Sequence, residues 1–256
     1  MPIVILVHGS GPSDRDETIG PNKPFRDIAW QLAPEGIAVI RFEKRTKQYG
    51  AKAFPKETDA NFDTETVDDV LSAINLAKTF PQIDKKRIFV RGHCLGGELV
   101  PRIAQRAGDK ALSGIISMAG PTRKMREMLI AQFTYLSELR GIKTNIMPNV
   151  EAVMKLMPEP YQQMEANYNP VEVASQLKLP MLFMQGERDY QVTMEDLNNW
   201  RKGLESHKNV TFKSYHKLYH LFMEGEGKSS PVEYGTPSHI PAYVIDDIVT
   251  FVTAKH

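Results

Sequence analysis

The residues best suited to chemistry lie in one short run, Gly92-His93-Cys94-Leu95-Gly96-Gly97. The run before it, Arg87-Ile88-Phe89-Val90-Arg91, reads as a β-strand, and the residues after it, through about Arg106, as a helix. A nucleophile on so sharp a strand-to-helix turn has strained backbone angles. The residues two before and two after it must then be nearly without side chains. Gly92 and Gly96 meet that need, and Gly97 lets the helix lie close to the sheet. Cys94 falls at the helix N-terminus, where free N–H groups and the helix dipole favour an anion, here a thiolate. The competing reading is an inert, buried cysteine behind a glycine-rich turn. Cys94 is the chain's only cysteine, so no intramolecular disulfide or multi-cysteine metal centre can form.

Several apolar runs must position this turn. Residues 1–7 read as a buried strand running into His8-Gly9-Ser10-Gly11. The run is too short for a signal peptide and lacks its flanks. A core strand so near the start leads us to expect an upstream portion in the full-length protein. Further strands are expected over Ile37 to Phe42, Gly114 to Met118, Pro180 to Met184 and Val210 to Tyr215. Helices are expected over Thr66 to Phe80 and from about Pro241 to Thr253. Alternation at this spacing predicts an α/β fold, with a mostly parallel sheet covered by helices on both faces. One stretch, 121–179, has no strand signal and is rich in methionine and aromatics, among them Met125, Met128, Met164, Tyr135 and Tyr161. It reads as a helical insertion with a small core, and also as a lid over an apolar pocket. The expected organisation is a core of residues 1–120 and 180–256 with a helical cap at 121–179.

Composition narrows the field. The chain has 256 residues, 41% hydrophobic and 25% charged, with a net charge of +1. Disorder is excluded by these values, and nothing points to nucleic acid or an anionic membrane as partner. No apolar run approaches the ~20 residues needed to span a bilayer. No metal-binding His-Glu-x-x-His, phosphate-binding lysine loop or dinucleotide fingerprint is present, so neither metal nor cofactor is expected.

The pattern resembles the α/β-hydrolase superfamily. Its elbow usually carries serine; this one carries Cys94, as the similar Gly-x-Cys-Leu-Gly-Gly turn of dienelactone hydrolases does. Elsewhere the chain resembles bacterial esterases of that superfamily. The resemblance rests on His8-Gly9-Ser10-Gly11-Pro12, Asp14-Arg15-Asp16-Glu17, Gly20-Pro21-Asn22-Lys23-Pro24-Phe25 and Leu218-Tyr219-His220-Leu221-Phe222-Met223. It implies an α/β-hydrolase fold and a nucleophile–histidine–acid triad. The family's Gly-x-x-Asp-x-x-Val turn picks Asp189 as acid, with Glu187 the runner-up. His220 matches the base, and His216 is its alternative. The oxyanion donors would be the backbone N–H groups of Leu95 and Ser10. His8 and His93 become packing or turn residues, and His207, His239 and His256 surface residues. The charged segment 13–23 reads by default as a solvated loop. Alternatively, Asp14, Arg15 and Asp16 form a network that holds Ser10, with partners from Arg41 to Arg45.

The implied activity is hydrolysis of small esters with short to medium acyl chains through a covalent acyl-enzyme. Either the lineage uses thiol chemistry, or a serine enzyme has been changed to cysteine. Dienelactone-hydrolase-like or thioester cleavage with a native thiol is the alternative. A non-catalytic ligand binder of the same fold is a third reading, disfavoured because it has no use for an intact acid and base. A homo-oligomer is compatible with the sequence. The compartment is open: cytoplasmic by default, extracellular if an upstream part carried a signal.

Overall fold

The computed structural model describes residues 1–108 and 110–254. His256, expected at the surface, lies outside the described residues. Among the described residues six strands form one sheet: β1 (Ile3–Val7), β2 (Ala38–Ile40), β3 (Ile88–His93), β4 (Gly114–Met118), β5 (Met181–Gly186) and β6 (Val210–Tyr215). Their order is β2-β1-β3-β4-β5-β6, and every neighbouring pair is parallel. Parallel strands deliver all their C-terminal ends to one edge, so the turns after β1, β3, β5 and β6 gather there. This is the α/β-hydrolase architecture expected from the sequence.

Strand alternation sorts the core into two layers. Ile3, Ile5 and Val7 of β1 pack into one apolar cluster, and Val4 and Leu6 into the other. The first layer lies beneath α3 (Asp68–Ala77), α4 (Leu95–Ala107) and α9 (Met194–Gly203), through Val70, Ile74, Leu99, Ile103, Leu197 and Trp200. The second lies beneath α1 (Pro24–Leu32) and α10 (Ala242–Thr253), through Phe25, Ile28, Val244 and Ile248. Both faces of the sheet are thus covered, as a parallel sheet requires.

Several elements were not expected from the sequence or end elsewhere than expected. The helix α1 follows the charged loop, with Pro24 in its first turn and Phe25, Ile28 and Leu32 on its buried face. Edge strand β2 stops at Ile40, because Arg41 turns away to pair with Asp16. The strand β3 runs on to His93 and carries the main chain straight to the nucleophile turn. A short helix α2 (Arg45–Tyr49) precedes α3.

Between β4 and β5 lie four helices: α5 (Met125–Leu139), α6 (Met147–Lys155), α7 (Glu159–Asn167) and α8 (Pro170–Gln176). The last of these packs on the sheet layer through Ala174 and Val171. The entry and exit of the stretch are pinned together. Lys124 Nζ donates to Glu165 O at 2.8 Å and Tyr168 O at 2.7 Å, and Glu165 Oε1 accepts from Met125 N at 2.7 Å. Arg123 pairs with buried Asp196 of α9 at 2.7 Å. Met125, Met147, Met154, Met157 and Met164 are all half-buried rather than sealed in a core.

Candidate active site

Cys94 sits between β3 and α4 with φ at +52°, a left-handed conformation that costs a non-glycine residue about 1–2 kcal/mol. The surroundings enforce it. A Cβ on Gly92 would lie 2.0 Å from Gly96 O, and one on Gly96 would lie 2.4 Å from Val7 O. Those distances leave no room for any side chain, so the elbow can exist only with glycine at both places. The thiol itself is partly exposed.

His220 and Asp189 meet beside it. Asp189, on the turn after β5, is buried and fully engaged. Its Oδ1 accepts the N–H groups of Gln191 (2.8 Å) and Val192 (3.1 Å). Its Oδ2 accepts Gln185 Nε2 (3.3 Å) and His220 Nδ1 (2.6 Å). The carboxylate can only accept, so Nδ1 carries the proton and Nε2 is left for Cys94. Burial works to lower the His220 pKa, yet the facing Asp189 carboxylate and the charge of the neighbouring Cys94 outweigh it and hold His220 well above the ordinary histidine value.

The two alternative residues find each other elsewhere. His216 Nδ1 lies 3.2 Å from Glu187 Oε2, with the histidine side chain 91% exposed. His239 is also at the surface, beside Asp27, and His207 contacts the carbonyl of Leu177. Among the sequence candidates, the structure therefore brings together Cys94, Asp189 and His220. Leu95 begins α4 and is buried, while Ser10 stands exposed on the turn after β1.

Around this turn lies a group of buried charges that periodicity did not disclose. Glu17, assigned to a solvated loop by default, is buried and has φ at +51°. Its Oε1 accepts Gly9 N at 2.8 Å. Its Oε2 faces His93 Nδ1 at 3.0 Å, and among the described residues neither atom has another partner. Burial alone would raise the Glu17 carboxyl; His93, with Arg91 and His8 behind it, holds it at about 2. His93 Nε2 in turn donates to His220 O at 2.9 Å, so His93 does more than pack. On the other side Lys44 Nζ donates to Gly9 O at 2.9 Å and pairs with Glu65 at 3.1 Å. Arg15–Glu43 and Arg41–Asp16 complete the outer part. Of the expected network, Lys44 reaches Gly9; Glu17, which was not among its expected members, supplies the other contact. The one sequence signal for Glu17 was a charge-dense stretch directly after a glycine turn.

Glu98, one turn into α4, lies within the electrostatic reach of Glu165 and Lys124. Burial, then the Glu165 charge, raise its carboxyl to about 8 against the opposing pull of Lys124. A carboxyl near 4.5 when unfolded and near 8 when folded keeps its proton only in the native state between those values. Stability is therefore lost as pH rises from about 4.5 to about 8. Glu98→Gln should remove that loss. Its melting temperature should match the parent near pH 5 and exceed it by roughly 3–6 °C near pH 8.5, read by thermal denaturation.

Residues 25–234 match the prolyl oligopeptidase family. The chain is 39% identical over 264 residues to esterase EstD of Thermotoga maritima, an alignment covering 98% of this chain and 62% of that protein. The chain thus spans less than two thirds of that relative's length. It is 26% identical over 213 residues to the uncharacterized peptidase YtmA of Bacillus subtilis, covering 83% of this chain and 75% of that one. Among solved structures, the Pyrococcus furiosus esterase Pf2001 is similar with a TM-score of 0.60 at 16% identity, over 98% of this chain and 82% of that one. Est1E from Butyrivibrio proteoclasticus gives 0.58 at 16% identity, over 86% and 80%. At such identities the likeness is one of fold. The parallel sheet, the glycine-hemmed elbow and the match over most of its length agree: the chain belongs to the prolyl oligopeptidase family, within the α/β-hydrolase superfamily.

Proposed function

We propose that this chain hydrolyses carboxylic esters through a Cys94–His220–Asp189 triad. The observation that carries the reading is the buried 2.6 Å contact of His220 Nδ1 with Asp189, beside a thiol on a left-handed elbow. In the reaction Cys94 Sγ attacks the ester carbonyl as its proton passes to His220 Nε2. The oxyanion rests on the N–H groups of Leu95 and Ser10. Collapse of the tetrahedral species breaks the C–O bond, and His220 returns the proton to the leaving alkoxide. Water, deprotonated by His220, then attacks the thioester, and the acid leaves with the thiol restored. Either oxyanion donor contributes on the order of 3–4 kcal/mol to the transition state.

Helices α5 to α7 serve as the cap in this reading, and their half-buried methionines favour small to medium acyl groups over charged ones. The esterase name of the EstD relative agrees with ester hydrolysis as the reaction. The test is a panel of p-nitrophenyl esters of increasing acyl length, with a cyclic enol-lactone and an acyl thioester beside them. Turnover should be greatest on short to medium esters and absent from Cys94→Ala. Preference for the lactone or the thioester by about tenfold or more would replace this reading with the thiol-specific alternative. No turnover of any ester above the Cys94→Ala rate would defeat both.

A further inference from the structure

We infer that Lys44, bonded to the Gly9–Ser10 peptide, and Glu17, bonded to the His8–Gly9 peptide before it, are positioning residues that hold the turn at Gly9 on both sides and so aim the Ser10 N–H at the oxyanion. The inference rests on the triad and oxyanion assignment above. Gly9 O and Ser10 N–H belong to one planar trans peptide and point in opposite directions. Whatever fixes the carbonyl of Gly9 therefore fixes the direction of the Ser10 N–H. Lys44 Nζ holds that carbonyl at 2.9 Å, and Glu17 Oε1 holds the N–H of the same glycine at 2.8 Å. The turn lies hard against the nucleophile, since a Cβ on Gly9 would stand 3.1 Å from Cys94 Cβ. Small rotations of this peptide then move a donor relative to the reacting carbonyl, where alignment governs rate.

The cost of the arrangement argues for a role beyond stability. Both charges are buried, and Glu17 holds a left-handed backbone. A buried ion pair such as Lys44–Glu65 is commonly no more stabilising than apolar residues of similar volume. The clamp also reaches toward the cap: the Glu65 charge acts on the hydroxyl of Tyr161 in α7, whose ring packs edge-on against Phe62 at 4.5 Å. A turn held only for folding would not need a charged chain that ends on the carbonyl behind the oxyanion donor.

The physics supplies a variant that separates the two roles. Lys44→Met combined with Glu65→Leu removes the pair together, leaves no lone buried charge, and should keep the melting temperature of the parent. Two rates are then compared. Ester turnover needs the oxyanion donors, whereas alkylation of Cys94 by iodoacetamide is a displacement at carbon that needs the thiol and His220 but no oxyanion. The double variant should lose about tenfold or more in kcat, with KM changed less than about twofold and alkylation at the parent rate. Unchanged kcat, or an equal fall in turnover and alkylation, would overturn the clamp. If the double variant fails to fold, Glu17→Met, which keeps the length of the side chain but removes the acceptor of the Gly9 N–H, is read by the same kcat-against-KM split and must show the kcat loss. A parent that alkylates without losing activity would instead defeat the triad assignment, and would do so before any variant is made.

Discussion

Replacing His220 by alanine is expected to lower kcat/KM for a short p-nitrophenyl ester by about 10⁴-fold, with KM nearly unchanged. The base touches the reacting atoms only as the thiol proton moves, so its loss is felt in the transition state and little in ground-state binding. Asp189 is what makes His220 competent. Its four donors hold the carboxylate still, and its 2.6 Å contact with Nδ1 assigns the tautomer that leaves Nε2 facing Cys94. Because thiol, imidazole and carboxylate act as one unit, a Cys94→Ala change added to His220→Ala should cost little more than either change alone. Steady-state kinetics of the single and double variants check this. Losses that multiply would mean that the two residues work independently, and that the buried contact is structural.

The fold and the elbow were legible because their causes are local. Glycine at 92 and 96 follows from contacts within one turn, and the alternation of β1 follows from a sheet with two covered faces. The acid and base were less so. Asp189 and Glu187 share one turn, and His220 and His216 share the next, so spacing alone leaves four acid–base pairs open. Only the folded chain separates them, with Asp189–His220 buried at the strand ends and Glu187–His216 out in solvent. Glu17 was hidden for a related reason. It stands in a run of charges whose ordinary fate is solvation, and its burial depends on residues 9 and 93, with Lys44 closing the other side. Contacts between such distant positions leave no periodic trace. The early end of β2 belongs to the same class, since Arg41 leaves the sheet for Asp16.

The chain's single thiol permits a direct test of the nucleophile. Labelling with iodoacetamide followed by intact mass counts one site without ambiguity. If Cys94 is the nucleophile and His220 takes its proton, one carbamidomethyl group should be gained readily at about pH 6.5, where an ordinary thiol with a pKa of ~8.5 is nearly unreactive. Esterase activity should fall in proportion to the labelled fraction, to below about 1% at full labelling, since a capped sulfur cannot form the acyl-enzyme. Full labelling with turnover intact would contradict the account.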